Sequence, residues 1–177
     1  MKFELNIENI ILIVFAGTFL IQLFYFLFYF VRLIPNQKEI VKEKYKPISI
    51  IIAARNEEQN LMEFLPKIFE QEYPEFEIVV VNDRSWDESI DVLQAFALKH
   101  PNLHVVEIPD REQDHFAKKF AITMGIKAAK HDNFVFIDAD CYPSSKYWIR
   151  EIAGRFESSK SLVLGASPYA KEKGFLN

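Results

Sequence analysis

The chain has 177 residues, and 21 Lys and Arg against 25 Asp and Glu leave a net charge of −4. That balance offers no general affinity for nucleic acid, so no nucleic-acid partner is expected. The single cysteine, Cys141, excludes an internal disulfide and fits a reducing compartment. The length suits one domain plus an appendage.

The appendage comes first. Asn9 to Val31 holds no Asp, Glu, Lys or Arg. A helix of that length spans roughly 34 Å, enough for a bilayer core. Tyr25 and Tyr29 stand in its aromatic second half, as in interfacial belts. The apolar core is too long for a signal peptide, and no Ala-x-Ala site follows it. Arg32, Lys38, Lys42, Lys44 and Lys46 follow the span, whereas Lys2 alone precedes it. The positive-inside rule then puts the C-terminal side in the cytoplasm. The expected organisation is a single-pass anchor over 1–34, a charged linker over 35–46 and a cytoplasmic domain over 47–177.

Past Pro47, strands and helices alternate. Ile48–Ala53 reads as a buried strand. Glu57–Gln71 carries a helical stripe of Leu61, Phe64, Leu65, Ile68 and Phe69, with Asn56 as a plausible N-cap. Strands follow at Phe76–Val81, Leu103–Ile108 and Phe134–Ile137, and helices at Asp87–Lys99, His115–Lys130 and Ser144–Phe156. Leu162–Gly165 is a candidate fifth strand. Such alternation predicts an α/β fold, a mainly parallel sheet with helices on both faces.

The chemistry gathers at strand ends. Phe134–Ile137 stops at Asp138-Ala139-Asp140, two carboxylates where open α/β sheets bind ligands. They can share a divalent cation, or divide the work between a metal and a sugar hydroxyl; Mg²⁺ and Mn²⁺ favour such oxygens. Helix-capping acids are the plainer reading. The first strand ends in Ala53-Ala54-Arg55-Asn56-Glu57-Glu58, where two small residues allow a flat group near the backbone and Arg55 can meet a phosphate or carboxylate. The second ends in Asn82-Asp83-Arg84-Ser85-Trp86-Asp87, where Asp83 can accept from a base edge or ribose, or the run can be a polar turn with Ser85 or Asp87 as a cap. Lys118 and Lys119 oppose the dipole at a helix start unless an anion binds there. His115 precedes them. Cys141 has no basic partner nearby in sequence and reads as a small filler.

Taken in order, Pro47–Glu58, Val79–Ser85, Lys118–Ala121 and Asp138–Asp140 resemble the family 2 glycosyltransferases, which are inverting and of GT-A fold. The resemblance covers Pro47 onward. It implies that Ala54, Arg55 and Glu57 border a nucleotide-sugar site, that Asp83 holds the base, that Lys118 lies near the diphosphate, that Asp138 contacts ribose or sugar, and that Asp140 holds Mg²⁺ or Mn²⁺. It implies a UDP- or GDP-linked donor and a glycan or lipid-linked acceptor, the anchor favouring an acceptor of the cell envelope. Asn82 departs from the family, which often has Asp there. No general base for the acceptor hydroxyl is recognised after Gly165, so the chain reads as a donor-binding half, C-terminally incomplete. A non-catalytic nucleotide-sugar-binding module is the alternative. An Asp-x-Asp phosphoryl-transfer enzyme is disfavoured, because the motif falls on the fourth strand and Tyr142 stands where that chemistry wants Thr or Val.

Overall fold

The computed structural model describes residues 6–30, 45–109, 118–156 and 162–165. Two compact units emerge, Met1–Glu39 and Ile40–Asn177.

In the first unit, helix α1 runs Ile7–Tyr25 and continues as a π-helical turn over Phe26–Phe30. Asn6 caps it, its side chain accepting from Asn9 N at 3.0 Å, so the helix begins ahead of the charge-free run. Ile7–Tyr29, 23 residues, is long and apolar enough to cross a membrane. No α1 residue is buried. Thr18 Oγ1 donates to Val14 O and Phe15 O at 3.1 and 2.9 Å, so its hydroxyl needs no water. Rings four apart stack, Phe24 on Phe28 and Tyr25 on Tyr29.

The second unit is built on a parallel sheet of order β3-β2-β1-β4. Its strands are β1 (Ile48–Ala54), β2 (Phe76–Asp83), β3 (Leu103–Ile108) and β4 (Phe134–Phe136). The helices between them are α2 (Glu58–Phe69), α3 (Ser89–Ala97) and α4 (Lys118–Ala128), with α5 (Trp148–Ala153) after β4. β1 and β2 are almost wholly buried because helices cover both faces, which is why they read as unbroken apolar runs. α2 and α3 are shorter than the sequence stripes suggested, α4 ends at Ala128 instead of Lys130, and α5 is six residues long. Leu162–Gly165 is not a strand.

Alternation along the strands sorts the core. Ile48, Ile50, Ile52 and Ala54 of β1, with Ile78 and Val80 of β2, pack against Leu61, Leu65 and Ile68 of α2, Leu93 of α3 and Ile149 of α5. Each fully buried aliphatic side chain contributes about 1.5–3 kcal/mol. The other face belongs to α4, where Val81 and Ile108 pack with Ala121, and Ala53 borders them. Here α4 lies very low on the sheet. A Cβ on Gly125 would sit 2.6 Å from Ile51 Cγ2 and 3.1 Å from Val81 Cγ2. Only glycine allows that approach, and it sets the height at which Lys118, two turns earlier, meets the sheet.

Behind α5, buried Gln71 joins two elements. Its Nε2 donates to Ser145 O at 2.9 Å, and its Oε1 accepts from Ile149 N at 3.2 Å. The side chain thereby satisfies an amide of the short helix α5 that lacks an intrahelical partner.

Candidate functional site

The strand order reverses at β1: β2 and β3 lie to one side and β4 to the other. In open α/β sheets the crevice outside the carboxyl ends at such a reversal receives ligands. The register sets what stands there. Ala54 pairs with Asn82, Asp83 with Ile108, and Ile51 with Phe136. The chain beyond Phe136 turns tightly, Cys141 N donating to Asp138 O at 3.0 Å, so Asp138 and Asp140 share one turn.

Parity decides which residues meet. Asp83 follows Val81 on the α4 face, and Lys118 opens α4. Lys118 Nζ lies 2.5 Å from Asp138 Oδ1, with both side chains 57% exposed. The structure thus joins two of the sequence-predicted site residues directly and sets Asp83 on the same face. Asp140 is exposed, and its Oδ1 accepts from Cys141 Sγ at 3.4 Å. Arg55 is exposed beside the crevice. Glu57 is half-buried and accepts from Asn60 Nδ2 at 2.5 Å. Ala54 is 1% exposed, its methyl in the α2 core, so only its backbone faces the crevice region. Ala53 is the alanine on the α4 face; the sequence reading takes both alanines as small residues at the strand end but names only Ala54 for the pocket. His115 lies outside the described residues. Asn82 is 2% exposed and by alternation faces away from α4, where a charged aspartate would be costly to bury. Its Oδ1 has no hydrogen-bond partner among the described residues.

The loops after β1 and β2 are stitched together. Asn56 N donates to Ser85 Oγ at 2.9 Å, and Trp86 N to Asn56 Oδ1 at 3.0 Å. Asn56 therefore does not cap α2 with its side chain. The opening amides of α2 are served from the neighbouring loop, Glu57 N donating to Ser89 Oγ at 3.0 Å and Glu58 N to Asp87 Oδ2 at 3.2 Å. Asp87 Oδ1 also accepts from Ser89 N at 3.1 Å, so one carboxylate serves the starts of two helices. Burial pushes the Asp87 pKa up, but the Ser89 hydroxyl and the Ser89 and Glu58 amides outweigh it and hold the carboxyl below the usual range. Asn56 and Arg84 have positive φ, 56° and 54°. Arg84 Nε lies 2.7 Å from Asp83 Oδ1, the two side chains only 7% and 9% exposed. Neither the cross-loop caps nor the Arg84 pairing has a local sequence signal, because each joins backbone conformation to a partner in another turn.

On the α2 side, Ile52, Leu61, Phe64, Asp138, Ala139 and Cys141 border a shallow depression. Among the described residues, no three of His, Cys, Asp and Glu gather into a metal-holding cluster. Asp138 and Asp140 supply hard oxygens at the β4 turn.

Residues 49–177 match the pattern of Glycosyl transferase family 2. The chain belongs to this family. A poly(ribitol-phosphate) beta-glucosyltransferase of Bacillus spizizenii is 31% identical over 120 residues, which cover 67% of this chain and 18% of that protein. Among solved structures, S. aureus TarS 1-349 in complex with UDP-GlcNAc superposes with a TM-score of 0.52 at 28% identity, over 60% of this chain and 30% of that one. The mannosyltransferase PcManGT of Pyrobaculum calidifontis, in complex with GDP-Man and Mn²⁺, gives a TM-score of 0.65 at 24% identity, over 79% of this chain and 41% of that one, a likeness of fold. The parallel sheet with helices on both faces is therefore the GT-A fold of family 2, as the resemblance implied. The chain spans between 18% and 41% of the length of the curated relatives it matches.

Proposed function

We propose that the chain is the donor-binding part of a membrane-anchored glycosyltransferase, which moves a sugar from a nucleotide-sugar to a cell-envelope glycan or a lipid-linked acceptor. The observation that carries this reading is the convergence of Asp83, Asp138 and Lys118 on one face of the sheet, at the reversal of strand order. Asp83 holds the base and Lys118 the diphosphate. Asp138 contacts ribose or sugar. Arg55, Glu57 and the backbone of Ala54 border the pocket. A UDP- or GDP-linked donor suits these groups, and the UDP-GlcNAc complex of TarS supports a nucleotide-sugar.

The donor set at the β4 turn fits a divalent cation. Mg²⁺ and Mn²⁺ are commonly held by one or two carboxylates plus substrate phosphates, and a dedicated protein cage is not needed. Asp140, exposed and one residue past Ala139, would hold it. When bound, the ion would neutralise the nucleoside diphosphate as it leaves. Lys118 would serve the same charge from the α4 side, leaving Asp138 to orient a hydroxyl.

The unburied apolar α1 supports an anchor, and the basic residues after it support a cytoplasmic donor domain. These readings keep the division into anchor over 1–34, linker over 35–46 and donor domain over 47–177. Residues 31–34 of the anchor and 35–44 of the linker lie outside the described residues.

Calorimetric titration of UDP into the full chain in detergent, with and without Mn²⁺, tests the site. Binding strengthened by Mn²⁺ is expected, and Asp140→Ala should remove the Mn²⁺-dependent part. Equal binding in the variant would take Asp140 out of the site.

A further inference from the structure

Tyr142 stands two residues past Asp140, in a turn that the sheet does not hold. Ile137 N donates to Ile51 O at 3.3 Å, and the chain then leaves β1. Cys141 N closes the turn on Asp138 O at 3.0 Å. Ala139 and Pro143 are buried, and Ala139 joins the α2 core. Between these anchors Asp140 and Tyr142 are exposed. The Tyr142 ring is nonetheless gripped from α2. Lys67 Nζ stands 3.7 Å from its centroid, the distance of a cation on an aromatic face. Phe64, one turn earlier on the helix, packs beside it, the ring centroids 5.0 Å apart. Glu63 Oε1 lies 3.7 Å from Lys67 Nζ and steadies the ammonium from the preceding turn. Tyr142 remains 42% exposed, so burial alone does not account for the contact.

We propose that Tyr142 is a positioning residue for the cation of the donor site: its ring, clasped by Lys67 and Phe64, fixes the turn that carries Asp138 and Asp140. The proposal rests on the reading of Asp140 as the cation's ligand. A carboxylate on a loose turn must be ordered as cation and diphosphate bind, and that ordering subtracts from affinity. The clasp orders the turn beforehand. It also ties the turn to α2, which starts just past β1 at Glu57, so Asp140 is referred to the framework that carries Arg55 and Glu57.

The test is calorimetric titration of UDP into the full chain in detergent, with and without Mn²⁺, joined to hydrogen exchange of the metal-free peptide 137–143. Tyr142→Phe keeps the aromatic face, Tyr142→Leu keeps only apolar bulk, and Lys67→Met keeps the stem without the charge. In the wild type and Tyr142→Phe the strengthening of UDP binding by Mn²⁺ should be the same. In Tyr142→Leu and Lys67→Met it should fall about two- to fivefold, the scale of one exposed cation–π contact. The double variant should lose no more than the larger single loss, because both changes break one contact. Exchange of 137–143 should rise in both single variants, and UDP affinity without Mn²⁺ should change less than the Mn²⁺-dependent gain. Should Tyr142→Leu lose its far-ultraviolet dichroism, Lys67→Met on its exposed helix face decides. An undiminished gain with unchanged exchange overturns the clasp while the donor site stands. So does a loss in Tyr142→Phe as large as in Tyr142→Leu, or an equal loss with and without Mn²⁺, which marks general loosening. A wild type that binds UDP without any gain from Mn²⁺ overturns the cation's place and this proposal, and leaves the nucleotide site. A folded wild type that binds no UDP overturns the donor site and this proposal with it.

Discussion

The two ends of the sheet are both polar, and they differ in how that polarity is closed. At the amino end, Glu77 is 3% exposed on β2 and faces α4. It accepts from Ser49 Oγ and Lys130 N, each at 2.5 Å, and Ser49 Oγ accepts in turn from His131 N at 3.2 Å. His104 Nε2 lies 3.2 Å from Glu77 Oε2, at ion-pair distance but without hydrogen-bond alignment. The donors are mostly backbone or short side chains locked by the core. At the carboxyl end, Lys118 and Asp138 pair in the open, and Arg55 and Asp140 are exposed. Asp83 and Arg84 are sheltered there, and Arg84 adopts the left-handed backbone conformation. One end is closed largely by its own chain; the other keeps charges that a ligand can take up.

The contrast puts the largest effect on folding at the closed end. Glu77→Ala would strand Ser49, the Lys130 amide and His104 around a void. The expected loss of folding stability is about 2–4 kcal/mol, from buried donors left without an acceptor, read by chemical denaturation in detergent. Nucleotide affinity of the folded fraction should be unchanged. The acid dependence has a definite sign. Burial pushes the Glu77 pKa up, but Ser49, the Lys130 amide, His104 and His131 together draw it below the ordinary value. A carboxyl with a lowered folded pKa contributes stability that is full above its unfolded pKa, about 4.3. That contribution is lost as pH falls through the folded value. Glu77→Gln should therefore flatten the stability profile below about pH 4.5.

Gly125 sharpens the comparison from the middle of α4. Gly125→Ala drives a methyl into Ile51 Cγ2, a stiff β-branched side chain that cannot swing away. Overpacking of this kind costs about 1–3 kcal/mol. Because it lifts α4, it should also weaken UDP binding through Lys118, whereas Glu77→Ala should not. Denaturation and titration on the same variant separate the two effects.

These elements also mark what was legible in the chain. The strand cores were legible, because Ile48–Ala53 and Phe76–Val81 are too apolar and too β-branched to be anything else once they alternate with helical stripes. The Asp138–Asp140 turn was legible because charge stops an apolar run there. Face assignment was not: a strand buried on both sides shows no alternation, so nothing in Ala53-Ala54 says that Ala53 faces α4 and Ala54 faces α2. The chain likewise hid the service of α2 by Asp87, since Asn56 stood in the conventional capping place and its partner lay in another loop. The height of α4 was hidden too. Nothing around Gly125 in sequence says that Ile51 presses against it.

Asp87 is the next smaller lever. Asp87→Ala removes the acceptor of Glu58 N and Ser89 N together, at a cost of about 1 kcal/mol. With its pKa also held low, its contribution fades as pH falls below the unfolded aspartate value, about 3.9. Loosening the stitched loops should raise hydrogen exchange at Asn56, Glu57 and Trp86 while β1 stays protected.

The smallest effect on folding belongs to the open end. The Lys118–Asp138 pair is more than half exposed, so solvent screening leaves it about 0–1 kcal/mol of stability. Lys118→Ala should leave the denaturation midpoint nearly unmoved. The same change should weaken UDP binding roughly tenfold, because a hydrogen bond to a charged diphosphate is worth more than an exposed ion pair. Asp138 competes with the ligand for that ammonium, so Asp138→Asn should free Lys118 while still offering an oxygen to a hydroxyl. Raising ionic strength from about 50 mM to about 500 mM should then weaken UDP binding more in the wild type than in Lys118→Ala. Equal salt dependence in the two would mean that Lys118 does not face the diphosphate, and that its pairing with Asp138 is only a surface contact.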